Sequence, residues 1–397
     1  MSVWDALIGQ DAAVAVLTEA AVAARTLALG ATPGVATAAM TPAWLLTGPP
    51  GSGRSVAATA FAAALQCTAP GPPGCGVCPG CRTALSGSSA DVVTLRPEGL
   101  SIATKDVREL VASAALAPVG GRWRVVVVED ADRLVKGGDE RAANVVLKTV
   151  EEPPERGVFL LCAPSTEDVP ATIRSRCRVL ALRTPPAASV AAVLQAEGVD
   201  AVLAAFAARA AQGHVGRARR LARDPDARAR RAEVLRLPTR LGSAAGCVAA
   251  AADLVEAAVE EAASVTSERD VAEREALGQA FGAEAGARKA PRGMAGAVKE
   301  LERRQRTRGT RAQRDALDRA LVDLAAWYRD VLAVQLGTGA QAVHPDTAEL
   351  VGRLARASSA EQSLHRIDAV LACRERLAAN AAPLLAVEAM ALQLATG

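Results

Sequence analysis

The chain has 397 residues, of which 50% are hydrophobic and 22% charged, and this balance excludes a wholly disordered protein and fits a soluble globular one. Its length exceeds what one hydrophobic core usually spans, so we expect two or three domains. Forty-six basic residues against 43 acidic ones leave a net charge of +3, too little to make the whole surface bind polyanions.

The first residues, MSVWDALIGQ, contain an acidic side chain and no basic segment leading into an apolar run. No stretch of roughly eighteen apolar residues follows. We therefore expect no membrane association and a cytoplasmic location. In that compartment the cysteines should be thiols or metal ligands rather than disulfides.

Up to about residue 183, short β-branched or leucine-rich runs alternate with helical stretches, which predicts an α/β fold with helices covering a parallel sheet. The runs VVVV and VFLL are continuously apolar, as expected of strands that are buried on both faces. Strands are predicted at residues 44–47, 92–95, 123–128, 158–162 and 177–182.

The loop after the first predicted strand reads GPPGSGRS and precedes a predicted helix over residues 55–66. Glycines in this setting let backbone N–H groups surround a phosphate, and the positive end of the helix points at it. An arginine stands where a lysine is usual, and a planar guanidinium cannot sit in the site as an ammonium does. An ordinary Gly/Pro turn is the alternative. The predicted nucleotide-binding residues are Gly48, Gly51, Ser52, Gly53, Arg54 and Ser55, with Ser55 placed to bind magnesium.

Four cysteines, Cys67, Cys75, Cys78 and Cys81, fall within fifteen residues of a loop rich in proline and glycine. Four thiolates this close can surround one tetrahedral Zn²⁺ and cross-link a loop that has almost no apolar side chains. We therefore predict a zinc module over residues 67–81. An iron–sulfur cluster with similar spacing is the main alternative, and four unrelated thiols are the other.

Two acidic residues, Glu129 and then Asp130, follow the VVVV strand. One carboxylate here could hold magnesium while a second polarises water. The usual order is aspartate then glutamate, and the reversal moves each carboxylate by about one bond, where about 1 Å of misplacement can lower a rate on the order of a hundredfold. The pair indicates a weakened hydrolase, or simply acids that end a strand at the surface.

Arg176 lies in the segment Ser175-Arg176-Cys177, just before the last predicted strand. An arginine at this place could face a neighbouring subunit and stabilise a transferring phosphoryl group. A solvated basic edge is the alternative, because Arg174 and Arg178 flank it. The three histidines lie far apart in sequence and are assigned no catalytic role.

After Pro185 the strand pattern stops and Ala/Leu/Arg-rich helical sequence continues. We predict three domains: residues 1–183, a small helical lid over 184–238 and a helical bundle over 239–397. Residues 217–236 carry a net charge of +5, which suits either a DNA contact or a solvated helix, and residues 288–314 carry +8 and begin as a flexible loop. Breaks between helices are predicted at Gly213, Pro238, Pro291 and Pro345.

The chain resembles the clamp-loader subunits of bacterial DNA polymerase III, which are AAA+ proteins with a RecA-like sheet, a helical lid and an all-α collar. The resemblance covers residues 1–183 at the level of motifs and only helical architecture beyond. The motifs occur in the family's order: WDALIGQ, GPPGSGRS, the four-cysteine loop, VVVVEDADRL, NVVLKTVEEPPERGVFLLCAP and PATIRSRC.

Four departures from the motor subunits, gamma and tau, make the chain more similar to the delta-prime branch of this family. Each removes a group that ATP turnover uses in the motor subunits. They are Arg54 in the phosphate loop, Glu129 before Asp130, Ala163 and Pro164 at the polar sensor, and Gly216 at the sensor arginine, with Arg217 one place off.

Resemblance to delta-prime implies a DNA polymerase III component with little or no ATPase activity of its own, in which Arg176 acts as a trans arginine finger on a neighbour's ATP. The implied cofactors are Zn²⁺ and ATP with Mg²⁺, bound without efficient hydrolysis. The implied partners are the gamma/tau and delta subunits in a hetero-oligomer and, through it, the sliding clamp and primed DNA. The alternative function is an active AAA+ ATPase, either the motor or a related DNA-remodelling enzyme. A small-molecule kinase is disfavoured because no arginine-rich lid precedes a compact acceptor pocket.

Overall fold

The computed structural model of the chain describes residues 2–32, 34, 37–120, 122–135, 140–281 and 294–396. The chain divides into two compact units, Met1–Arg219 and Arg220–Gly397. The finer division into three domains stays a prediction. No described helix is both long and apolar enough to span a bilayer.

The described part of the first unit is built around a five-stranded sheet. Its strands are β1 (Ala43–Thr47), β2 (Val92–Leu95), β3 (Arg124–Val128), β4 (Gly157–Ala163) and β5 (Arg178–Ala181). They lie in the order β2-β3-β4-β1-β5, and every neighbouring pair is parallel. The predicted α/β class is confirmed, and each strand begins and ends within one residue of its predicted bounds.

Side chains of the central strands alternate between the two sides of the sheet. On β3, Val125 and Val127 belong to the apolar cluster on one side, whereas Val126 and Val128 belong to the cluster on the other. Every residue of β3 and of β4 is buried. Burial on both faces explains why these strands show no alternation of apolar and polar residues.

The alanine-rich helix α2 (Arg54–Leu65) follows β1 and packs against the sheet through small side chains and one aromatic ring. Its Phe61 meets Trp44 of β1 edge to face, with ring centroids 5.3 Å apart. The helices up to residue 223 are α1 (Asp11–Ala28), α2 (Arg54–Leu65), α3 (Pro79–Ser86), α4 (Thr104–Ala114), α5 (Arg141–Glu151), α6 (Ala171–Arg174), α7 (Ala187–Ala196), α8 (Ala201–Ala210) and α9 (Val215–Arg223). Helix α2 is nearly all buried from Ala57 onward.

In the second unit, the described elements are helical, as predicted. They are α10 (Pro225–Arg236), α11 (Ala244–Ala280), α12 (Met294–Gln335), α13 (Ala348–Ala357), α14 (Ala360–Ala378) and α15 (Pro383–Thr396). The core contains Trp327 and Tyr328 in edge-to-face contact at 5.1 Å. Short 3-10 helices at Leu237–Arg240 and Pro345–Thr347 coincide with two of the predicted breaks.

The long helices α11 and α12 are joined by an ionic cluster. Arg308 of α12 forms ion pairs with two carboxylates of α11, Asp270 and Glu273, the latter at 2.5 Å. This cluster neutralises one charge of the basic segment predicted over residues 288–314, of which residues 288–293 lie outside the described part. The expectation that this segment begins as a loop is wrong from Met294 on, because that residue starts α12.

A fully buried histidine, His344, ties α10 and α12 to the segment that follows α12. Its ring Nδ1 accepts a hydrogen bond from Arg231 of α10, and its backbone N–H donates to Asp330 of α12 at 2.8 Å. Arg231 also pairs with Asp346 at 3.0 Å. Burial, reinforced by the Arg231 charge and opposed by Asp323, Asp330 and Asp346, lowers the pKa of His344. The ring is therefore a neutral packing element.

Candidate functional site

The loop between β1 and α2 contains the predicted phosphate-binding residues. Its glycines have positive φ angles of 151° at Gly48, 89° at Gly51 and 93° at Gly53, and such angles are unfavourable for other residues. The Gly48 N–H donates to the carbonyl of Pro164, which follows β4, at 3.1 Å. The strand, tight turn and helix predicted from GPPGSGRS are all present.

Arg54 begins α2, and its side chain folds back over the loop. A guanidinium N–H of Arg54 donates to the carbonyl of Gly48. Ser52 is buried, whereas Ser55, at the predicted magnesium position, is exposed. One N–H group of the arginine is thus engaged by a neutral oxygen of its own loop.

The start of α9 packs closely on the same loop. A Cβ on Gly51 would lie 2.6 Å from the Cα of His214, the residue before α9, and one on Gly213 would lie 2.2 Å from the Thr184 side chain. His214 is one of the three histidines for which the sequence predicts no catalytic role. The only indication of this contact in the sequence is the adjacent Gly213, which was predicted to break the helices.

The predicted acidic pair follows β3, and the phosphate loop follows β1; both strands pair with β4. Burial raises the pKa of the Cys162 thiol on β4 to about 12, with Glu129 and Asp130 adding to the effect and Arg54 opposing it. The charges of the two loops therefore both act on the Cys162 thiol. This common effect agrees with the register, because β4 lies between β1 and β3.

Both acids already have arginine partners. Glu129 pairs with Arg96, which follows β2, at 3.0 Å, and Asp130 pairs with Arg133 at 3.4 Å. The backbone at Asp130 is left-handed, with φ at 52°, an uncommon conformation for a residue other than glycine. No motif in the sequence indicates that Arg96 pairs with Glu129. The carboxylates of Glu129 and Asp130 therefore each face an arginine of this chain.

The residues at the two predicted sensor positions, Ala163 with Pro164 and Gly216, have no polar side chain. Ala163 is the buried last residue of β4, and the contribution of Pro164 to the phosphate loop is the backbone carbonyl that Gly48 contacts. Gly216 and Arg217 lie in the first turn of α9.

The four predicted metal ligands, Cys67, Cys75, Cys78 and Cys81, are brought together between the end of α2 and the start of α3. Their Sγ atoms all lie within 4.8 Å of one another, and two pairs are 3.9 and 4.0 Å apart. Sulfurs that bind one tetrahedral zinc at about 2.3 Å are separated by about 3.8 Å. Disulfides would need about 2.05 Å. The arrangement fits one metal ion.

The electrostatics of the cluster also favour a cation. Burial opposes ionisation of Cys78, but N–H groups of Cys81 and Thr68, at 3.5 and 3.4 Å from its sulfur, outweigh burial and lower its pKa to about 5. Burial and the neighbouring thiols of Cys78 and Cys67 raise the pKa of Cys81. A divalent ion would let all four thiols ionise together.

The N-terminal segment contacts both the cysteine loop and the phosphate loop. The Val3 N–H donates to the carbonyl of Gly74 in the cysteine loop at 2.9 Å. Farther along, the side-chain amide of the buried Gln10 donates to the carbonyls of Ser52 at 3.1 Å and Arg183 at 2.5 Å. The motif WDALIGQ alone does not indicate that this segment positions the two loops.

Arg176 is the exposed member of its arginine group. Arg174 donates to the carbonyl of Thr166 at 3.3 Å, and Arg178 lies over the Trp44 ring at 4.9 Å. Both are half-buried, whereas the Arg176 side chain is 42% exposed. The three arginines therefore do not form one exposed basic edge, because only Arg176 is largely exposed.

The arginine-rich residues 217–236 lie on α9 and α10. Arg219 pairs with Glu197 and Arg236 with Glu233, each at 2.6 Å. Such pairing favours a solvated helical surface over the DNA contact that the net charge also allowed.

Two family descriptions match the chain. "DNA polymerase III, delta subunit" matches residues 33–186, and "DNA polymerase III, delta subunit, C terminal" matches residues 312–395. The delta' subunit of Escherichia coli K12 is 36% identical over 170 residues, which are 41% of this chain and 50% of that protein. The delta' subunit of Pseudomonas aeruginosa is 37% identical over 151 residues, 37% of this chain and 44% of that protein.

The chain belongs to the DNA polymerase III delta-prime family. The gamma/tau subunit of Mycobacterium tuberculosis H37Rv is also similar, at 37% identity over 156 residues, 38% of this chain and 26% of that protein. The delta-prime chain spans half or less of the length of these curated relatives. Its sheet has five parallel strands, and the predicted α/β class and the predicted family are confirmed.

Proposed function

We propose that this delta-prime chain is a noncatalytic subunit of the DNA polymerase III clamp loader. In this role it helps open the sliding clamp and place it on primed DNA, in the cytoplasm, as part of a hetero-oligomer with gamma/tau and delta subunits. Relatives named delta' and the two matching families support the assignment. ATP hydrolysis then takes place on the gamma/tau subunits.

The observation that carries the noncatalytic assignment is the contact between Arg54 and the carbonyl of Gly48. This contact turns the guanidinium back onto its own loop, and Gly51 lies against His214. The carboxylates of Glu129 and Asp130 are paired with arginines instead of being directed at a metal. ATP with Mg²⁺ that enters such a site would be bound without efficient hydrolysis.

In this proposal Arg176 is the catalytic residue that the chain lends to the neighbouring subunit. Its exposure and its place after α6, outside the chain's own phosphate loop, support a role in trans. An arginine in contact with a transferring phosphoryl group stabilises the charge of the transition state.

The proposed metal is Zn²⁺, held by the four cysteine thiolates as a structural ion. A closed set of four sulfur ligands leaves no position for a substrate and matches structural zinc sites. The ion would cross-link a loop of residues 67–81, whose own apolar side chains are few.

We assign the second unit to the collar that joins the subunits. Exposed leucines are spaced seven residues apart on the last two helices, Leu364 and Leu371 on α14 and Leu385 and Leu392 on α15. This spacing places each pair on one side of its helix, as packing against further helices requires.

Leu371→Glu should abolish copurification with gamma/tau. The control Leu116→Glu, which changes an exposed leucine of the first unit, should not.

ATP hydrolysis measured in two settings tests the main proposal. Purified delta-prime with primed DNA should hydrolyse ATP no faster than its Ser55→Ala variant. In the complex reconstituted with gamma/tau and delta, Arg176→Ala should lower turnover at the site it completes by about tenfold or more. The matched control is Arg108→Ala, which removes an exposed arginine from α4.

DNA-stimulated hydrolysis by the purified chain that disappears in Ser55→Ala would instead establish an active AAA+ ATPase. Unchanged turnover of the complex with Arg176→Ala would refute the trans arginine. Both variants change exposed side chains, so we expect their thermal unfolding to match that of the wild-type chain.

A further inference from the structure

Arg176 is held in one orientation by groups of its own chain. Its Nη2 lies 2.6 Å from Oε1 of Glu151, while its Nη1 donates to the carbonyl of Thr172 at 2.9 Å and to Oγ of Ser175 at 3.2 Å. Thr172 and Ser175 belong to the turn of α6 that carries the arginine. Glu151 is different, because it comes from the last turn of α5.

The place of Glu151 is determined by the sequence around it. It is the final residue of α5, and the segment LKTVEEPP ends that helix with two prolines. The residue before a proline avoids the helical conformation, so the helix stops at this point. The carboxylate is thereby fixed at the helix end that faces α6. Its neighbour Glu152 is exposed and forms no ion pair among the residues that the structure describes.

The pair has little to contribute to folding. The side chains of Arg176 and Glu151 are 42% and 37% exposed, and exposed pairs of this kind contribute little to stability. An unrestrained arginine side chain, however, loses rotamer entropy when it is fixed. Together with the hydrogen bonds to Thr172 and Ser175, the ion pair offsets part of this loss and favours one rotamer of Arg176.

We infer that Glu151 is a positioning residue that holds Arg176 ready for an anionic phosphate of the neighbouring subunit's nucleotide. The inference rests on the proposed function, in which Arg176 acts in trans. Contacts with Glu151, Thr172 and Ser175 do not use all five N–H donors of a guanidinium, and the exposed side of the group stays available to a ligand. Holding the Arg176 guanidinium in place before the phosphate binds reduces the entropy lost on binding.

The test uses Glu151→Gln in the complex reconstituted with gamma/tau and delta. The amide is nearly the same size but lacks the charge, so the arginine should be less well oriented. We expect kcat for ATP hydrolysis to fall about fivefold while KM for ATP changes by less than about twofold, the size of effect that loss of an exposed ion pair allows. Glu151→Asp should recover part of kcat, and the control Glu152→Gln should leave kcat and KM unchanged.

A double variant separates positioning from a general structural effect. If Glu151 acts only through the arginine, Glu151→Gln combined with Arg176→Ala should be no slower than Arg176→Ala alone. Equal melting temperatures of Glu151→Gln and wild type would show that the fold is intact.

The results distinguish failure of the inference from failure of the proposed function. If Arg176→Ala lowers turnover but Glu151→Gln leaves it unchanged or raises it, Glu151 does not position the arginine and the inference is wrong, although the trans arginine stands. If Arg176→Ala itself has no effect, both are wrong.

Discussion

Disruption of the cysteine cluster should destabilise the first unit by a predictable amount. Cys78→Ser removes one ligand from the loop of residues 67–81, which has fifteen residues. Cross-linking a loop of this length contributes about 3 kcal/mol to the free energy of unfolding. For a unit of this size, each kcal/mol corresponds to about 2–4 °C in Tm, so Tm should fall by about 6–12 °C.

The assay combines metal analysis by atomic emission with thermal unfolding of the same samples. The wild-type chain should contain one zinc per molecule, and Cys78→Ser should contain clearly less. The matched control is Cys177→Ser, since Cys177 is a half-buried thiol outside the cluster and its replacement should leave the zinc content at one per molecule. A Cys78→Ser protein that retains both its zinc and its Tm, or a wild-type protein with the visible absorption of iron, would refute the reasoning.

Other parts of the chain provide further tests. Gly51→Ala would place a Cβ 2.6 Å from the Cα of His214 at a positive φ. We therefore expect urea titration to show that the free energy of unfolding falls by about 1–3 kcal/mol. The control Gly30→Ala should lower it less, because φ is also positive there but no atom lies within 4 Å. Arg308→Ala leaves two neighbouring carboxylates without their shared cation, and urea titration should show a loss of about 1–3 kcal/mol, whereas an unchanged midpoint would exclude a stabilising role. Because folding lowers the pKa of His344, its contribution to stability should be complete above the unfolded-state pKa of about 6.5 and be lost as the pH falls below it toward the lower folded-state value; His344→Gln should weaken this dependence of Tm on pH.

The sheet could be predicted from sequence because its strands are short, apolar and bounded by loop residues. Burial on both faces leaves continuous runs such as VVVV and VFLL, so the positions of the strands depend on local sequence alone. The four cysteines were equally clear, since metal coordination requires only that the ligands be close, and their spacing in the chain already makes them so.

The remaining features depend on contacts between residues that are far apart in sequence. No local pattern indicates that His214 packs on Gly51, that Arg96 pairs with Glu129, or that Glu151 meets the arginine of the next helix. The direction of Arg54 is a choice among rotamers, which the sequence does not determine. The start of α12 was not predicted for another reason, because the glycines and the proline around residues 286–296 favour a loop, whereas the structure has a helix from Met294 on.

Helix α2 begins in the phosphate loop with Arg54 and ends at Leu65, two residues before the first proposed metal ligand, Cys67. A helix of 12 residues is about 18 Å long, and this one is locked in the core along nearly its whole length. The N-terminal segment joins the same two loops by a second route, through Val3 at one end and Gln10 at the other. Helix α2 and residues 3–10 therefore connect the cysteine loop to the loop between β1 and α2 by two routes, so a change of shape in the cysteine loop should be transmitted to the other loop.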